Sequence, residues 1–161
     1  MSGPNLGSLR LRPARPEDLP FLIDLAARLG GFPLPPWRRP HQIGDAEHEG
    51  LTAALAQGDD ERLLAIAESE AGEPFGYVWV EPREDFFTKA PYGHVSVLAV
   101  AERAEGRGVG RALMAEAERW TRERGMSHLG LNVWTQNLRA RRLYEDLGYG
   151  EETLHYVKWL A

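Results

Sequence analysis

The segment Glu105-Gly106-Arg107-Gly108-Val109-Gly110 carries three glycines at alternating positions, between a β-branched run and a helical pattern. Glycine lets a backbone bend and approach a ligand closely. The unpaired amides of a first helical turn point at an anion, with the helix dipole behind them. Strand, glycine loop and helix together make a cradle for a phosphate, where a flexible linking turn would need fewer glycines. Two phosphate-binding patterns are excluded by position. A Walker loop needs Gly-Lys-Ser or Gly-Lys-Thr, and the chain has no Gly-Lys pair. The dinucleotide fingerprint wants a further glycine where Arg111 stands, and an acid closing the next strand, where Leu129 to Trp134 has none.

Other residues could carry chemistry. Asn137 and Tyr144 are two helical turns apart and project from nearly the same face. His94 and Ser96 share one face of a strand, and Glu81 closes the preceding strand with Glu84 and Asp85 behind it. His41 and His48, with Glu47 and Glu49, lie in a proline-broken stretch without metal-ligand spacing, and no metal is expected. Phe32 and Trp37 sit in an early loop, where they would wall a substrate pocket. Trp79, Trp134 and Trp159 read as core or interface residues.

The elements that must position these residues follow from periodicity. Leu9 to Pro13 reads as a strand, and Phe21, Leu22, Leu25 and Leu29 as a helix stopped by Gly30-Gly31. Phe32 to Pro40 is a loop, Asp45 to Ala56 a helix ended at Gln57-Gly58-Asp59, and Leu63 to Ala67 and Phe75 to Val80 two strands. After a loop over 82–93 comes a central strand, His94 to Val100. Val109, Leu113, Ala117 and Trp120 mark a helix buried along one stripe and closed by Gly125. Leu129 to Trp134 is a strand, Ala140 to Leu147 a helix with Asn137 placed to cap it, and His155 to Leu160 a last strand.

Composition narrows the function class. The 161 residues suit one domain over 1–161, with 1–8 a flexible N-terminus. No cysteine is present, which excludes disulfides, thiolate metal sites and cysteine nucleophiles. No run is long and apolar enough to span a membrane, and Met1 to Ser8 lacks a signal-peptide pattern, so a cytoplasmic protein is expected. A net charge of −5 argues against nucleic acid as a partner. The charge is uneven: Glu102 to Arg142 holds nine Arg against five Glu, +4, which leaves −9 elsewhere. Either these are arginines on solvated helix faces, or one segment handles an anion while the remainder faces something neutral or cationic.

The loop resembles the acetyl-coenzyme A loop of the GNAT N-acetyltransferase superfamily: Arg or Gln, two residues, Gly, one residue, then Gly or Ala. Gly108 and Gly110 fit, and Glu105 stands where Arg or Gln is expected, with Arg103, Arg107 and Arg111 around it. Asn132 to Tyr149, with Asn137, Tyr144 and Leu147-Gly148-Tyr149, resembles that family's second signature. The resemblance implies an α/β fold: a mixed, twisted central sheet of six to seven strands flanked by about four helices, split beside the central strand. It implies acetyl-coenzyme A as co-substrate, held by Leu98, Ala99 and Val100 along that strand, by Glu105, Gly106, Arg107, Gly108, Val109, Gly110 and Arg111 in the loop, and by Asn137 and Tyr144. The reaction implied is direct transfer of acetyl to a primary amine of a small molecule or peptide. Tyr144 would protonate the departing thiolate, and His94 or Glu81 would take the amine proton. A polyamine, an aminoglycoside or a lysine side chain would each suit the acidic remainder of the chain, and exposed edge strands would allow a homodimer. Two alternatives are a non-catalytic acyl-coenzyme A sensor on the same fold, and a nucleotide-binding or protein-interaction domain.

Overall fold

The computed structural model describes residues 8–57 and 61–160; Gly58 and Asp59, expected at a helix end, lie outside them, as do residues 1–7 of the expected flexible N-terminus. Its elements are β1 (Arg10–Pro13), α1 (Leu19–Ala26), α2 (Pro40–Gln57), β2 (Leu63–Glu68), β3 (Pro74–Glu84), β4 (Pro91–Val100), α3 (Val109–Glu123), β5 (Leu129–Leu131) and α4 (Leu138–Asp146). The strands form one sheet in the order β1-β2-β3-β4-β5, antiparallel up to β4, with β5 parallel to β4. A parallel pair needs a crossover, and α3 supplies it.

Each face of the sheet has its own core. Leu22 and Leu25 of α1 and Leu51 of α2 bury against Ile66, Tyr77, Trp79 and Val97. On the other face Val109, Leu113, Ala117 and Trp120, the stripe expected of α3, bury against Val78, Val80 and Val95. Gly125 closes α3 at φ 70°, a left-handed conformation that favours glycine. Arg12 ties the first strands to α1: it donates to Glu68 at 2.7 Å and to both carboxylate oxygens of Asp18, at 2.7 and 2.9 Å.

The architecture departs from expectation in four places. Five strands pair among the described residues where six or seven were expected, and His155 to Leu160 forms no strand and is exposed. An apolar alternation shows that a segment can pair; the edge it pairs with is a separate matter. The loop expected over 82–93 is mostly hairpin, because β3 and β4 stay in register to Glu84 and Pro91. Pro91 is tolerated there as the first residue of its strand. The helix expected from Asp45 begins at Pro40, since proline is favourable at a first helical position. The strand expected over Leu129 to Trp134 stops at Leu131, where its neighbour diverges.

Candidate active site

The divergence starts at a bulge. Trp79 pairs with Val97 but Val80 pairs with Val95, so Ser96 is an extra residue in β4. A bulge bends its strand and increases the local twist. Beyond Val95 no residue of β4 pairs with β5. Ala101 N–H donates to Phe75 of β3 at 2.7 Å, so by alternation Val100 and Leu98 turn their backbone groups to the side β5 has left. The result is a cleft with an unpaired strand edge along one wall, available to an extended ligand carrying amides. Of the three residues expected to line it, Leu98 and Val100 face that side, whereas the Ala99 carbonyl faces β3 and closely approaches Gly76.

The glycine loop stands at the end of this edge. Gly106 and Gly108 have φ of 71° and 83°, and Gly108 begins α3 with no side-chain cap. Only the Ala112 amide bonds back to Gly108, which leaves the amides of Val109, Gly110 and Arg111 directed out of the helix end. Gly110 does a different job from the other two. A Cβ there would sit 3.2 Å from Leu143, so its smallness lets α3 and α4 approach.

Glu105 is not an isolated acid beside this anion site. Arg28 donates to it at 3.1 Å and Arg139 bonds its other oxygen. Burial works against the charged carboxylate, but the hydrogen bonds and charges of Arg139 and Arg28 outweigh it and hold the carboxyl below its ordinary range. Arg28 also donates to the Val100 carbonyl at 2.7 Å, on the open edge of β4. Among the expected arginines, Arg103 instead binds Glu73 and the Pro74 carbonyl. Arg28 carried no local signal: it lies 77 residues from Glu105.

Acidic groups gather at the bulge, on the α2 side of the sheet. Ser96 donates to Glu81 at 2.9 Å, so Glu81 lies where the cleft opens. Glu47 on α2 faces it; burial first, and the Glu81 charge second, push the Glu47 carboxyl up to about 7. Glu47, Gly50, Leu51 and Ala54 form one face of α2 at helical spacing, and that periodicity was the available signal for Glu47. Gly50 belongs there because a Cβ would come within 2.9 Å of the Trp79 ring. Beneath these carboxylates the Tyr77 hydroxyl and Trp79 Nε1 are buried with no hydrogen-bond partner among the described residues. Buried polar atoms are normally satisfied, so two together mark a site built for something polar.

His94 pairs with Glu81 across the strands and is buried. Burial and the Arg83 charge push its imidazole down to about 4, against the pull of Glu81. His41 and His48 of α2 are exposed, and no group of three or more His, Cys, Asp or Glu among the described residues could hold a metal.

Asn137 caps α4, its side chain accepting from the Ala140 amide at 3.2 Å. Tyr144 packs against the α3 core, and burial pushes its hydroxyl up to about 12, so it carries its proton at any working pH. Phe32 meets Trp134 with ring centroids 6.2 Å apart, which joins the early loop to the segment after β5. Trp79 is a core residue; Trp159, which stands exposed, is not.

Residues 29–149 match the acetyltransferase (GNAT) family. An aminoglycoside N(6')-acetyltransferase of Stenotrophomonas maltophilia is 31% identical over 150 residues, 91% of this chain and 89% of that protein. A mycothiol acetyltransferase of Beutenbergia cavernae is 42% identical over 152 residues, 80% of this chain but only half of that longer protein. Among solved structures, an aminoglycoside N-acetyltransferase in complex with coenzyme A superposes with a TM-score of 0.73, covering 98% of this chain and 97% of its own; at 20% identity it speaks for the fold alone. With three quarters of its length matched and its glycine loop and split sheet in place, the chain belongs to the acetyltransferase (GNAT) family.

Proposed function

We propose that this acetyltransferase moves an acetyl group from acetyl-coenzyme A to a primary amine of a small polycation, with an aminoglycoside as the first class to test. The single observation that carries the acceptor is the pair Glu47 and Glu81 at the mouth of the cleft. Two carboxylates close enough to feel one another favour a ligand that brings positive charge. The likeness to an aminoglycoside acetyltransferase over nearly the full length of both chains points the same way.

The residues divide the work by position. The open amides at the start of α3 and the left-handed glycines suit a pyrophosphate, and the Leu98 and Val100 edge suits the amide-bearing arm. The co-substrate supplies an activated thioester. Glu81, held by Ser96, binds the incoming ammonium; Glu47, titrating near neutrality, takes its proton so that a neutral nitrogen attacks. Backbone amides at the bulge polarise the thioester carbonyl, and Tyr144 gives its proton to the departing sulfur. His94, with its imidazole pushed down to about 4, is too weak a base for this at neutral pH and serves to keep the site dry. Asn137 positions α4, and through it Tyr144.

The proposal also includes one domain over 1–161, a cytoplasmic setting and a homodimer as the working form. Among the described residues no helix is long and apolar enough to cross a membrane. The chemistry is tested by following thiol release with a thiol reagent, free of background because the protein has no cysteine. Aminoglycosides, linear polyamines and lysine peptides are compared. Turnover of a polycation that Glu81→Gln abolishes is expected; turnover of none of them, or rates indifferent to Glu81→Gln, would overturn the acceptor assignment.

A further inference from the structure

Three charged side chains from distant parts of the sequence meet at the first residue of the glycine loop. Arg28, in the turn that follows α1, donates to Glu105 at 3.1 Å, and Arg139, in the first turn of α4, bonds the other carboxylate oxygen. With its other terminal nitrogen Arg28 donates to the Val100 carbonyl at 2.7 Å. A bridge therefore runs from the open edge of β4, through Glu105, to α4.

The charges in this bridge do not balance. One carboxylate holds two guanidinium groups, which leaves +1 where the three side chains converge. Arg139 adds a second imbalance. The N-terminal end of a helix favours acids, yet the first turn of α4 has none and carries this arginine. A cation held against that dipole, beside another cation, calls for more negative charge than one carboxylate supplies. The loop that begins at Glu105 is where such charge is expected, because it leads to the outward amides of Val109, Gly110 and Arg111. The planar fork of an arginine fits a phosphate as well as it fits a carboxylate. Arg103, much nearer in sequence, is committed elsewhere, to Glu73 at 2.9 Å and the Pro74 carbonyl at 2.7 Å.

Each contact in the bridge is one for which coenzyme A competes. The amide-bearing arm needs the Val100 carbonyl, and the phosphates need the guanidinium groups. The bridge is also easily opened, since the side chains of Arg28 and Arg139 are 40% and 61% exposed, and ion pairs so placed hold by only about two- to fivefold.

We propose that Glu105 is a built-in stand-in for phosphate. In the unliganded chain it gathers Arg28 and Arg139, and coenzyme A on binding takes both from it, so that the two arginines become ligands of its phosphate groups. Glu105 thus keeps two like charges together beside the loop before the ligand arrives, at the cost of an exchange that lowers affinity. An acid at this position is then no defect in the loop: the cations come from the turn after α1 and from α4, and the acid holds them in place. This inference deepens the coenzyme A site described above and rests on it, while the acceptor assignment does not enter.

The test is a double-mutant cycle on the full chain, with coenzyme A binding measured by calorimetry at low salt. The four proteins are wild type, Glu105→Gln, Arg28→Gln and the two changes combined. All should melt within about 2 °C of one another, because the substitutions lie near the surface. Glu105→Gln should bind coenzyme A about two- to fivefold more tightly. Arg28→Gln should weaken binding about tenfold in the Glu105→Gln background but only about fivefold by itself, because without Arg28 part of the exchange is no longer needed. Arg139→Gln should repeat the pattern from the α4 side. In ¹⁵N spectra the side-chain Nε–H signals of Arg28 and Arg139, assigned through these variants, should move when coenzyme A is added. If removing either arginine costs as much with Glu105 present as without it, or more, the arginines stay on Glu105 when phosphate binds and the proposal fails. Arginine signals that coenzyme A leaves in place would end it too, with the binding site still standing. No binding of coenzyme A by any of the proteins would remove the site itself and the exchange with it.

Discussion

Glu47→Gln should make the protein more stable and less active, with a pH dependence that identifies the cause. The Glu47 carboxyl rises from 4.5 to about 7 on folding. A carboxyl that binds its proton more tightly when folded costs nothing below pH 4.5, where both states are protonated. The cost grows as pH rises and is complete above 7, because the unfolded chain then holds fewer protons than the folded one would prefer. At full strength this rise corresponds to about 3 kcal/mol. Glu47 is only partly buried, and solvent screening reduces the figure to about 1–2 kcal/mol. Glutamine keeps the shape and drops the charge, so the variant should melt about 2–8 °C higher than wild type at pH 8. The two should melt together at pH 4.5. In the thiol-release assay kcat/KM should fall about 100-fold, the usual scale for losing a general base. The acidic limb of its pH profile, near 7 in wild type, should disappear. An equal gain in melting temperature at both pH values would show that packing, not charge, is responsible. Full activity would remove Glu47 from the proton path.

Three further outcomes follow from the same geometry. Tyr144→Phe should lower kcat about 10- to 100-fold while leaving the coenzyme A dissociation constant unchanged by calorimetry, because the hydroxyl matters only when the thiolate leaves; equal loss in both would make Tyr144 a packing residue. Glu105→Gln should tighten coenzyme A binding about two- to fivefold at low salt, the scale of an exposed ion pair, and the gain should vanish at high salt. It frees Arg28 and Arg139 from their shared partner, and weaker binding would show instead that Glu105 organises the loop. His94→Gln should flatten the acid limb of stability: the His94 imidazole is pushed down to about 4, so the unfolded state takes the proton first and stability drains as pH falls from about 6.5 to 4. Parallel acid-unfolding curves for variant and wild type would place the acid sensitivity elsewhere.

What could be read from the chain without coordinates was local. The glycine loop and α3 are consecutive in sequence, and each depends on rules that act within a few turns: left-handed glycines, open first-turn amides, a stripe at Val109, Leu113, Ala117 and Trp120. Asn137 as a cap is a rule of the same range. The remainder of the site comes from distant parts of the chain. Glu105 looks repulsive beside a phosphate until Arg28, in the turn after α1, and Arg139 of α4 are brought to it. Glu47 looks like one polar residue among many on a weakly apolar helix. Its role depends on Gly50 letting Trp79 close against α2, and on the Ser96 bulge turning Glu81 toward the same point.

The last strand shows where local rules mislead in the opposite sense. Leu154 to Leu160 has stronger strand character than β5, whose three paired residues include a glycine. Yet β5 is in the sheet and Leu154 to Leu160 is outside it. Pairing is decided by which edge a segment can reach and what covers it there, not by propensity alone. β5 needs little intrinsic preference, because the α3 crossover delivers it beside β4. Leu154 to Leu160, released beyond Gly148 with apolar groups on both faces, has the preference but pairs with no edge among the described residues, so strand character alone does not bring it into the sheet.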